Sequence, residues 1–207
     1  AEQTTAVKTV ADLYYREKNY GKAATWYTRY FKEGGTDQSA KTFQLQSHYL
    51  SNDCANVSRM VGTESRAGEE ELQMLANCYL RLNDNGGYVS TIERLVVQYP
   101  KKQYWTDLLA RVQKKPGFSD RLDLDVYRLR FATGNLTAAN DYMEMAQLAV
   151  QAGVPGEAKA IMDKGYESGV LGKGDQAERH GRLRALVDKT LAESKQNRAK
   201  EEQEAAS

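Results

Sequence analysis

The chain has 207 residues, of which 41% are hydrophobic and 28% charged, enough apolar content for one large domain or a short repeat array. The 29 basic and 28 acidic side chains leave a net charge of +1, which gives no electrostatic case for nucleic acid, whose phosphates normally demand a clustered basic surplus. A membrane surface or a strongly acidic partner is equally unsupported. No apolar run approaches the roughly 20 residues of a membrane-spanning helix, so we expect no membrane insertion.

The chain begins Ala-Glu-Gln, without a methionine, a basic segment or an apolar segment typical of a signal peptide. We therefore expect either an exported protein whose signal peptide has been removed or a domain of a longer protein. The two expectations are compatible with each other.

Helix-forming residues dominate from the first segment onward, and valine-rich alternation is nearly absent, so the sequence predicts an all-α fold. The apolar stretch 95–97 falls inside a helical pattern that ends at Pro100. Short polar turns separate helices of about a dozen residues. These turns are Glu17-Lys18-Asn19, Ser51-Asn52-Asp53, Asn83-Asp84-Asn85 and Ala152-Gly153-Val154.

A packing residue recurs shortly before each turn. Tyr14 to His48 is 34 residues (48 minus 14), and His48 to Tyr79 is 31 (79 minus 48). Tyr79 to Val112 is 33 (112 minus 79), and Val112 to Ala149 is 37 (149 minus 112). This spacing is expected of a helix-turn-helix unit that must stack on the next unit to bury both of its apolar faces.

The first unit follows the pattern most closely. Small Ala11 and Ala23 should let its two helices approach, with Tyr14 and Tyr27 filling the space between them. The fifth unit carries a comparable set of small and apolar residues, namely Met145, Ala146, Ala149, Ala158, Met162 and Gly165.

The fourth unit departs from the pattern. Pro116-Gly117-Phe118 replaces the usual turn, and we expect Ser119 to cap a helix from Asp120 to Ala132.

The two cysteines, Cys54 and Cys78, are too few for a disulfide scaffold and show no spacing typical of zinc. Their number allows one disulfide, which would suit an oxidising compartment. We prefer two buried free thiols, because unpaired cysteine is among the most buried residue types.

The spacing resembles the tetratricopeptide repeat over roughly residues 5 to 170. Longer phrases are similar to uncharacterised exported tetratricopeptide proteins of Gram-negative bacteria, namely Tyr30 to Gly35, Leu75 to Leu80 and the stretch from Tyr99 to Met145. The resemblance implies a right-handed α-solenoid of about five helical hairpins over residues 1–175 and a periplasmic location, with the cytoplasm as the alternative. It brings no known activity.

Residues 176–207 differ from the repeats and predict a C-terminal capping helix with a polar tail. One apolar stripe is formed by Leu183, Leu186, Val187 and Leu191. This is expected of a terminal helix that buries one face against the last repeat and exposes the other to solvent. After Ser194 there is no apolar stripe, and this segment should fray or extend as a solvated helix.

Residues able to carry catalysis are scarce. His48 occupies a packing position, and we expect a core or groove role for it, whereas His180 should be exposed on the polar side of the capping helix. Asp120 and Asp123 share a helical face but Asp125 does not, so the three cannot converge on a metal. We predict no catalytic residues, no metal site and no cofactor.

A glycine-rich segment, 169–174, has only a faint likeness to a phosphate-binding loop. It lacks a preceding strand and a Ser or Thr after its lysine, so a flexible joint before the capping helix is the better interpretation.

If the array coils as the resemblance implies, the first helix of each unit lines a concave groove. Its side chains are polar, of mixed charge and include two tyrosines, which suits a protein or peptide partner. The expected groove residues are Lys8, Asp12, Tyr15, Arg16, Gln46, Tyr49, Gln73, Asn77, Arg81, Gln147 and Gln151. We therefore predict a non-catalytic scaffold or adaptor; the alternatives are a self-associating module (a homo-oligomer), a substrate-recruiting appendage of an enzyme system, or a concave face with no dedicated ligand.

Some tetratricopeptide domains clamp the carboxylate of a chaperone tail with basic and amide side chains. The corresponding positions here offer Lys8, but also Asp12, Phe43, Glu70 and Met74. The resemblance therefore does not extend to that function.

Overall fold

The computed structural model describes residues 2–205 and is built from α-helices, with no strand in that range. The all-α prediction is therefore confirmed. In chain order the α-helices are α1 (Glu2–Arg16), α2 (Tyr20–Lys32), α3 (Gln38–Leu50), α4 (Cys54–Val61), α5 (Glu69–Arg81), α6 (Asn85–Gln98), α7 (Lys102–Val112), α8 (Asp123–Ala132), α9 (Ala139–Gln151), α10 (Pro155–Glu167) and α11 (Ala177–Ala205). Short 3-10 helices precede α8 (Asp120–Leu122) and α11 (Gly174–Gln176).

The chain divides into two compact units, one ending at Tyr104 and the other beginning at Trp105. In the first unit each helix from α1 to α6 packs on the next, α1 also contacts α3, and α3 contacts α5. In the second unit α8, α9, α10 and α11 pack in succession, and α11 also contacts α9. The predicted division at residues 175 and 176 stays a prediction.

The four predicted turns share one backbone geometry. Each has a residue in the left-handed region after the helix ends: Lys18 (φ 59°), Asn52 (φ 62°), Asn83 (φ 56°) and Gly153 (φ 74°). The next amide donates back to a carbonyl in the last helical turn, from Asn19 to Tyr14 (2.9 Å), Asp53 to His48 (2.8 Å), Asp84 to Tyr79 (2.9 Å) and Val154 to Ala149 (2.9 Å). These bonds satisfy carbonyls left open at the helix C-terminus. The four residues whose carbonyls accept these bonds are packing residues that recur at about 34-residue spacing in the sequence. Their spacing therefore corresponds to a recurring backbone motif.

The residue that ends each of these turns also starts the following helix. The side chains of Asn19, Asp53 and Asp84 accept hydrogen bonds from the amides of Lys22 (3.4 Å), Asn56 (3.2 Å) and Gly87 (2.8 Å). Such caps satisfy an amide that has no partner in the first helical turn. In the last of the four turns Pro155 follows instead, at the first helical position, where its missing N–H costs nothing.

The core of the first hairpin lies between α1 and α2, as predicted. Ala11 and Ala23 are fully buried and Tyr27 is 1% exposed, while Tyr14 is half-buried at the edge of this cluster. In the second unit the core joins α9, α10 and α11, and it contains the fifth-unit residues Met145, Ala146, Ala149, Ala158 and Met162. Gly165 is also buried.

Cys54 and Cys78 form a disulfide between α4 and α5, with their Cα atoms 5.2 Å apart. Our preference for two free thiols was therefore wrong, although both residues are buried as expected. The physical reason is tertiary: the packing of α4 on α5 brings together two residues that lie 24 positions apart in the sequence.

The start of α8 differs from the expectation. Ser119 makes no side-chain cap, and the α-helix begins at Asp123 rather than Asp120. The carbonyl of Ser119 accepts the amide of Leu122 at 2.8 Å, so the first turn closes as a 3-10 helix.

The buried stripe of α11 is also shifted from the predicted one. His180, Leu183 and Val187 are buried, whereas Leu186 is 51% exposed. Positions 180, 183 and 187 recur at helical spacing on one face, and Leu186 falls at its margin. The expectation that His180 is exposed was therefore wrong.

After Ser194, α11 continues to Ala205 as a solvent-exposed helix. Among residues 2–205, no helix combines the length and the apolar content that crossing a membrane requires.

Candidate functional site

The predicted groove residues fall on four helices. Those on α1 are Lys8, Asp12, Tyr15 and Arg16; those on α3 are Gln46 and Tyr49; and those on α5 are Gln73, Asn77 and Arg81. Because α3 contacts both α1 and α5, these nine residues share one row of neighbouring helices in the first unit. Gln147 (half-buried) and Gln151 (exposed) lie on α9 in the second unit.

At the beginning of this row, the charges of Lys8 and Asp12 are neutralised locally. Lys8 Nζ lies 3.3 Å from Asp12 Oδ2 and 3.3 Å from Asp37 Oδ2. The Tyr27 hydroxyl donates to Asp12 Oδ1 at 2.6 Å. Burial, followed by the bond to the Asp12 carboxylate, raises the pKa of Tyr27, so this hydroxyl stays a donor. Lys8 and Asp12 therefore hold α1, α2 and the start of α3 together.

Tyr15 joins α1 to α3. Its hydroxyl donates to Gln46 Oε1 at 2.8 Å, and its ring meets those of Tyr20 and Phe43 edge-on, with centroids 5.5 Å and 4.9 Å apart. Burial raises the pKa of Tyr15. The ring is fixed by these contacts, so any surface it offers is rigid.

Tyr49 and Arg81 join α3 to α5. The Arg81 guanidinium lies over the Tyr49 ring, 4.5 Å from its centroid. Arg81 Nη1 also donates to the Tyr49 carbonyl (3.3 Å) and to Asn52 Oδ1 (3.2 Å). The guanidinium is thus held by three contacts with uncharged groups.

Gln73 belongs to a third cluster, at the start of α5. Its Nε2 donates to the Tyr104 hydroxyl at 2.6 Å, and that hydroxyl donates to Glu69. Lys101 Nζ lies 2.7 Å from Glu69 Oε2, and the bonds from Lys101 and Tyr104 lower the pKa of Glu69. Gln73 is therefore occupied in fixing this end of the unit.

Of the predicted residues, three pairs are brought into contact, namely Lys8 with Asp12, Tyr15 with Gln46 and Tyr49 with Arg81. Arg16 and Asn77 are exposed. The sequence reasoning missed Leu50 and Leu80, whose side chains are 48% and 42% exposed. Aligning the units at His48 and Tyr79 would have found them, because this register places Leu50 level with Arg16 and Leu80 level with Tyr15.

The two histidines serve structural roles. His48 Nδ1 lies 2.9 Å from Asp53 Oδ2, and His180 Nδ1 accepts the amide of Gly172 at 3.1 Å. Among the described residues no group of three His, Cys, Asp or Glu side chains could hold a metal ion. Asp123 accepts from Gln113 Nε2 at 2.8 Å, and Asp125 pairs with Arg128 at 2.8 Å.

The chain matches no protein-family model, and a search of curated proteins gives no match either.

Proposed function

We propose that the protein is a tetratricopeptide-type α-solenoid that acts as a scaffold, holding a protein or peptide partner on the face formed by α1, α3 and α5 without catalysing a reaction. The repeated turn motif supports this proposal, because it ends the first helix of four hairpins in the same way, and in three of them its last residue caps the second helix. Contacts one repeat length apart support stacking: Tyr15 and Gln46 are 31 residues apart, and Tyr49 and Arg81 are 32 apart.

The observation that carries the proposal is that side chains on the face formed by α1, α3 and α5 are held in fixed conformations. Tyr15 and Arg81 are held by contacts between neighbouring hairpins, while the exposed side chains of Arg16 and Asn77 lie on the same row of helices. Side chains that are already fixed lose little entropy when a partner binds. A polar surface with rigid aromatic residues and arginines is typical of protein recognition.

We place the protein in the periplasm. The disulfide between Cys54 and Cys78 supports an oxidising compartment, because cytosolic thiols are normally kept reduced. The likeness of several segments to exported bacterial tetratricopeptide proteins points the same way.

Self-association is the second candidate function. It is favoured by the end of α11, where residues after Ser194 form a solvent-exposed helix that is accessible to another copy. Sedimentation velocity over a range of protein concentrations tests it, since association raises the sedimentation coefficient with concentration.

The scaffold proposal is tested by selecting a random displayed peptide library on the immobilised protein and measuring the affinities of the enriched peptides. We expect an Arg16→Ala/Asn77→Ala variant to bind them at least about tenfold more weakly, a loss of roughly 1.4 kcal/mol. The matched control is Arg59→Ala, which removes an exposed arginine from α4, outside this row of helices. The absence of enriched peptides, or equal affinity for the double variant, would count against the proposal.

A further inference from the structure

Asn85 is followed by a glycine and lies at the exposed start of α6. Of the nine asparagines in the sequence, it alone precedes a glycine. Asn85 and Gly86 are both exposed, and within residues 2–205 the Asn85 side chain forms no hydrogen bond. The side-chain amide of an asparagine can react with the backbone nitrogen of a following glycine, because glycine has no Cβ to hinder the approach.

The backbone amide of Gly86, which is the nucleophile in such a reaction, is free. In the first turn of α6 the Gly87 amide donates to Asp84 Oδ1 at 2.8 Å, and the Tyr88 amide donates to the Asp84 carbonyl at 3.0 Å. Within residues 2–205 the Gly86 amide has no acceptor, as expected at the start of a helix. A Cβ atom on Gly86 would meet only Asp84 Oδ1, at 3.5 Å, so the space around Gly86 is open.

Two other exposed asparagines, Asn52 and Asn83, lack this freedom. They lie in the turns after α3 and α5, and the amide that follows each donates to a carbonyl of the preceding helix, at 2.8 Å after Asn52 and at 2.9 Å after Asn83. Each is also followed by an aspartate, whose Cβ crowds the attacking nitrogen. These two asparagines are therefore references within the same chain.

The first turn of α6 is weakly held. Gly86 and Gly87 are consecutive, and a glycine in a helix loses more backbone entropy than any other residue. Residues 81–86 are all exposed, so opening this turn disrupts little packing. Once the turn is open, Asn85 Cγ can reach the Gly86 nitrogen.

We propose that Asn85 is a site of spontaneous deamidation, with water as the co-reactant, and that the reaction modifies the α5–α6 hairpin as the protein ages. The Gly86 nitrogen forms a bond to Asn85 Cγ and gives its proton to solvent, while the side-chain nitrogen takes up a proton and leaves as ammonia. Water then opens the resulting succinimide ring. Opening at Cγ gives aspartate, and opening at the main-chain carbonyl carbon gives isoaspartate, in which the main chain runs through Cγ.

The two products differ in their effect on the fold. Aspartate in the first turn of α6 suits the helix, because negative charge is favourable there. Isoaspartate adds a methylene to the main chain between Asp84 and Gly87, so their 2.8 Å capping bond is lost. Gly87 also moves against the Tyr79 ring, which a Cβ on Gly87 would approach to 2.5 Å. The isoaspartate form should therefore unfold at a lower urea concentration than the unmodified protein.

The experiment is ageing of the folded wild type at mildly alkaline pH, followed by peptide mapping with mass spectrometry. Labelling with an isoaspartyl methyltransferase identifies the isoaspartate product. We expect modification of Asn85 to be at least about tenfold faster than that of Asn52 or Asn83. The wild type unfolded in urea gives the rate without structural protection, and the rate in the folded protein should lie within about tenfold of it.

Two variants test the chemistry of the site. Gly86→Ala adds a Cβ next to the attacking nitrogen and restricts the backbone, so it should slow the reaction at least about tenfold. Asn85→Gln would have to close a larger ring and should stay unmodified at this position. The matched control is Ser90→Ala, which changes another exposed residue of α6 and should react like the wild type. Circular dichroism verifies that each variant is folded.

The proposal is overturned if Asn85 reacts in urea but stays intact in the folded protein, if Asn52 or Asn83 reacts as fast, or if Gly86→Ala ages like the wild type. Equal urea midpoints for the separated isoaspartate and unmodified forms would overturn the effect on the α5–α6 hairpin. None of these measurements requires a bound partner, so their outcome is independent of the proposed function.

Discussion

His48 and Asp53 are bonded to each other twice, across the turn between α3 and α4. The amide of Asp53 donates to the carbonyl of His48 at 2.8 Å, and its carboxylate Oδ2 lies 2.9 Å from His48 Nδ1. The other carboxylate oxygen caps α4 by accepting the amide of Asn56 at 3.2 Å. One aspartate therefore closes one helix and starts the next, and it also fixes the ring of a histidine that is only 6% exposed.

This arrangement predicts a pH dependence of stability. Burial alone would raise the pKa of Asp53, but the hydrogen bonds from Asn56 and His48 outweigh burial and lower it. A lowered pKa in the folded state contributes stability above the unfolded value of 3.8, and this stability is lost as the pH falls through the folded pKa. We expect the free energy of unfolding to decrease from about pH 5 downward, more steeply in the wild type than in Asp53→Asn.

The measurement is urea unfolding from about pH 7 to about pH 3, followed by circular dichroism. Asparagine is as good an N-cap as aspartate, so Asp53→Asn isolates the titrating carboxylate from the cap. Asp37, Glu69 and Glu157 also have lowered pKa values and should give the variant a remaining acid sensitivity. Parallel pH curves for the two proteins would contradict the role of Asp53.

The turns were predictable because their chemistry is local. Asn19, Asp53 and Asp84 cap the helix that follows them in sequence, and the residue before each adopts a left-handed conformation. A polar turn between apolar periodic segments is enough to recognise such a motif. The all-α class follows from the same local patterns.

The disulfide was not predictable in this way. Whether Cys54 meets Cys78 depends on how α4 packs against α5, and no local preference encodes that packing. The contacts in the candidate site were not predictable for the same reason. The period brings residues about one repeat apart onto neighbouring helices, but it does not say that Arg81 contacts Tyr49 or that Tyr15 bonds to Gln46.

The disulfide should contribute to stability by restricting the unfolded chain. Closing a loop between residues 24 positions apart is worth about 3.5 kcal/mol in the chain-entropy account. We expect Cys54→Ala/Cys78→Ala to unfold at lower urea concentration, with a free energy of unfolding reduced by roughly that amount. The variant should stay helical, because α4 and α5 also pack against α3 and α6.

The matched control is the wild type unfolded with and without reductant. Reductant should shift the wild type toward the midpoint of the double variant and leave the variant unchanged. Thiol counting on the native protein should find no free thiol, and two free thiols would contradict the bridge.

Gly87 and Gly86 are adjacent in α6 but differ in the space available for a side chain. A Cβ atom on Gly87 would lie 2.5 Å from the Tyr79 ring, whereas a Cβ on Gly86 would meet only Asp84 Oδ1, at 3.5 Å. Gly87→Ala should therefore destabilise the protein by about 1–3 kcal/mol through overpacking between α5 and α6. Gly86→Ala should stabilise it by about 0.5–1 kcal/mol, because alanine loses less backbone entropy in a helix.

Urea unfolding of the two variants measures this difference directly, and each variant serves as the control for the other. Tyr79→Phe/Gly87→Ala should be at least as destabilised as Gly87→Ala, since phenylalanine has the same ring and lacks the hydroxyl that bonds to Ser58 Oγ at 3.1 Å. Equal stability of the two single variants would show that Tyr79 does not pack against Gly87.

The buried stripe of α11 predicts that His180 contributes more to the stability of the fold than Leu186 does. His180 is 3% exposed, and its Nδ1 accepts the amide of Gly172, so it holds the loop before α11 in place. His180→Ala should leave a cavity and an amide without its acceptor, and should cost about 2–4 kcal/mol in the free energy of unfolding. Leu186→Ala removes a side chain that is 51% exposed and should change this free energy by less than about 0.5 kcal/mol.

Hydrogen exchange at Gly172 separates loss of packing from loss of this bond. In the wild type the Gly172 amide should be protected, and in His180→Ala it should exchange much faster. Leu186→Ala should keep the wild-type protection, because the exposed leucine has no part in this hydrogen bond. If Leu186→Ala proved the more damaging change, Leu186 rather than His180 would complete the face on which α11 packs, as the sequence predicted.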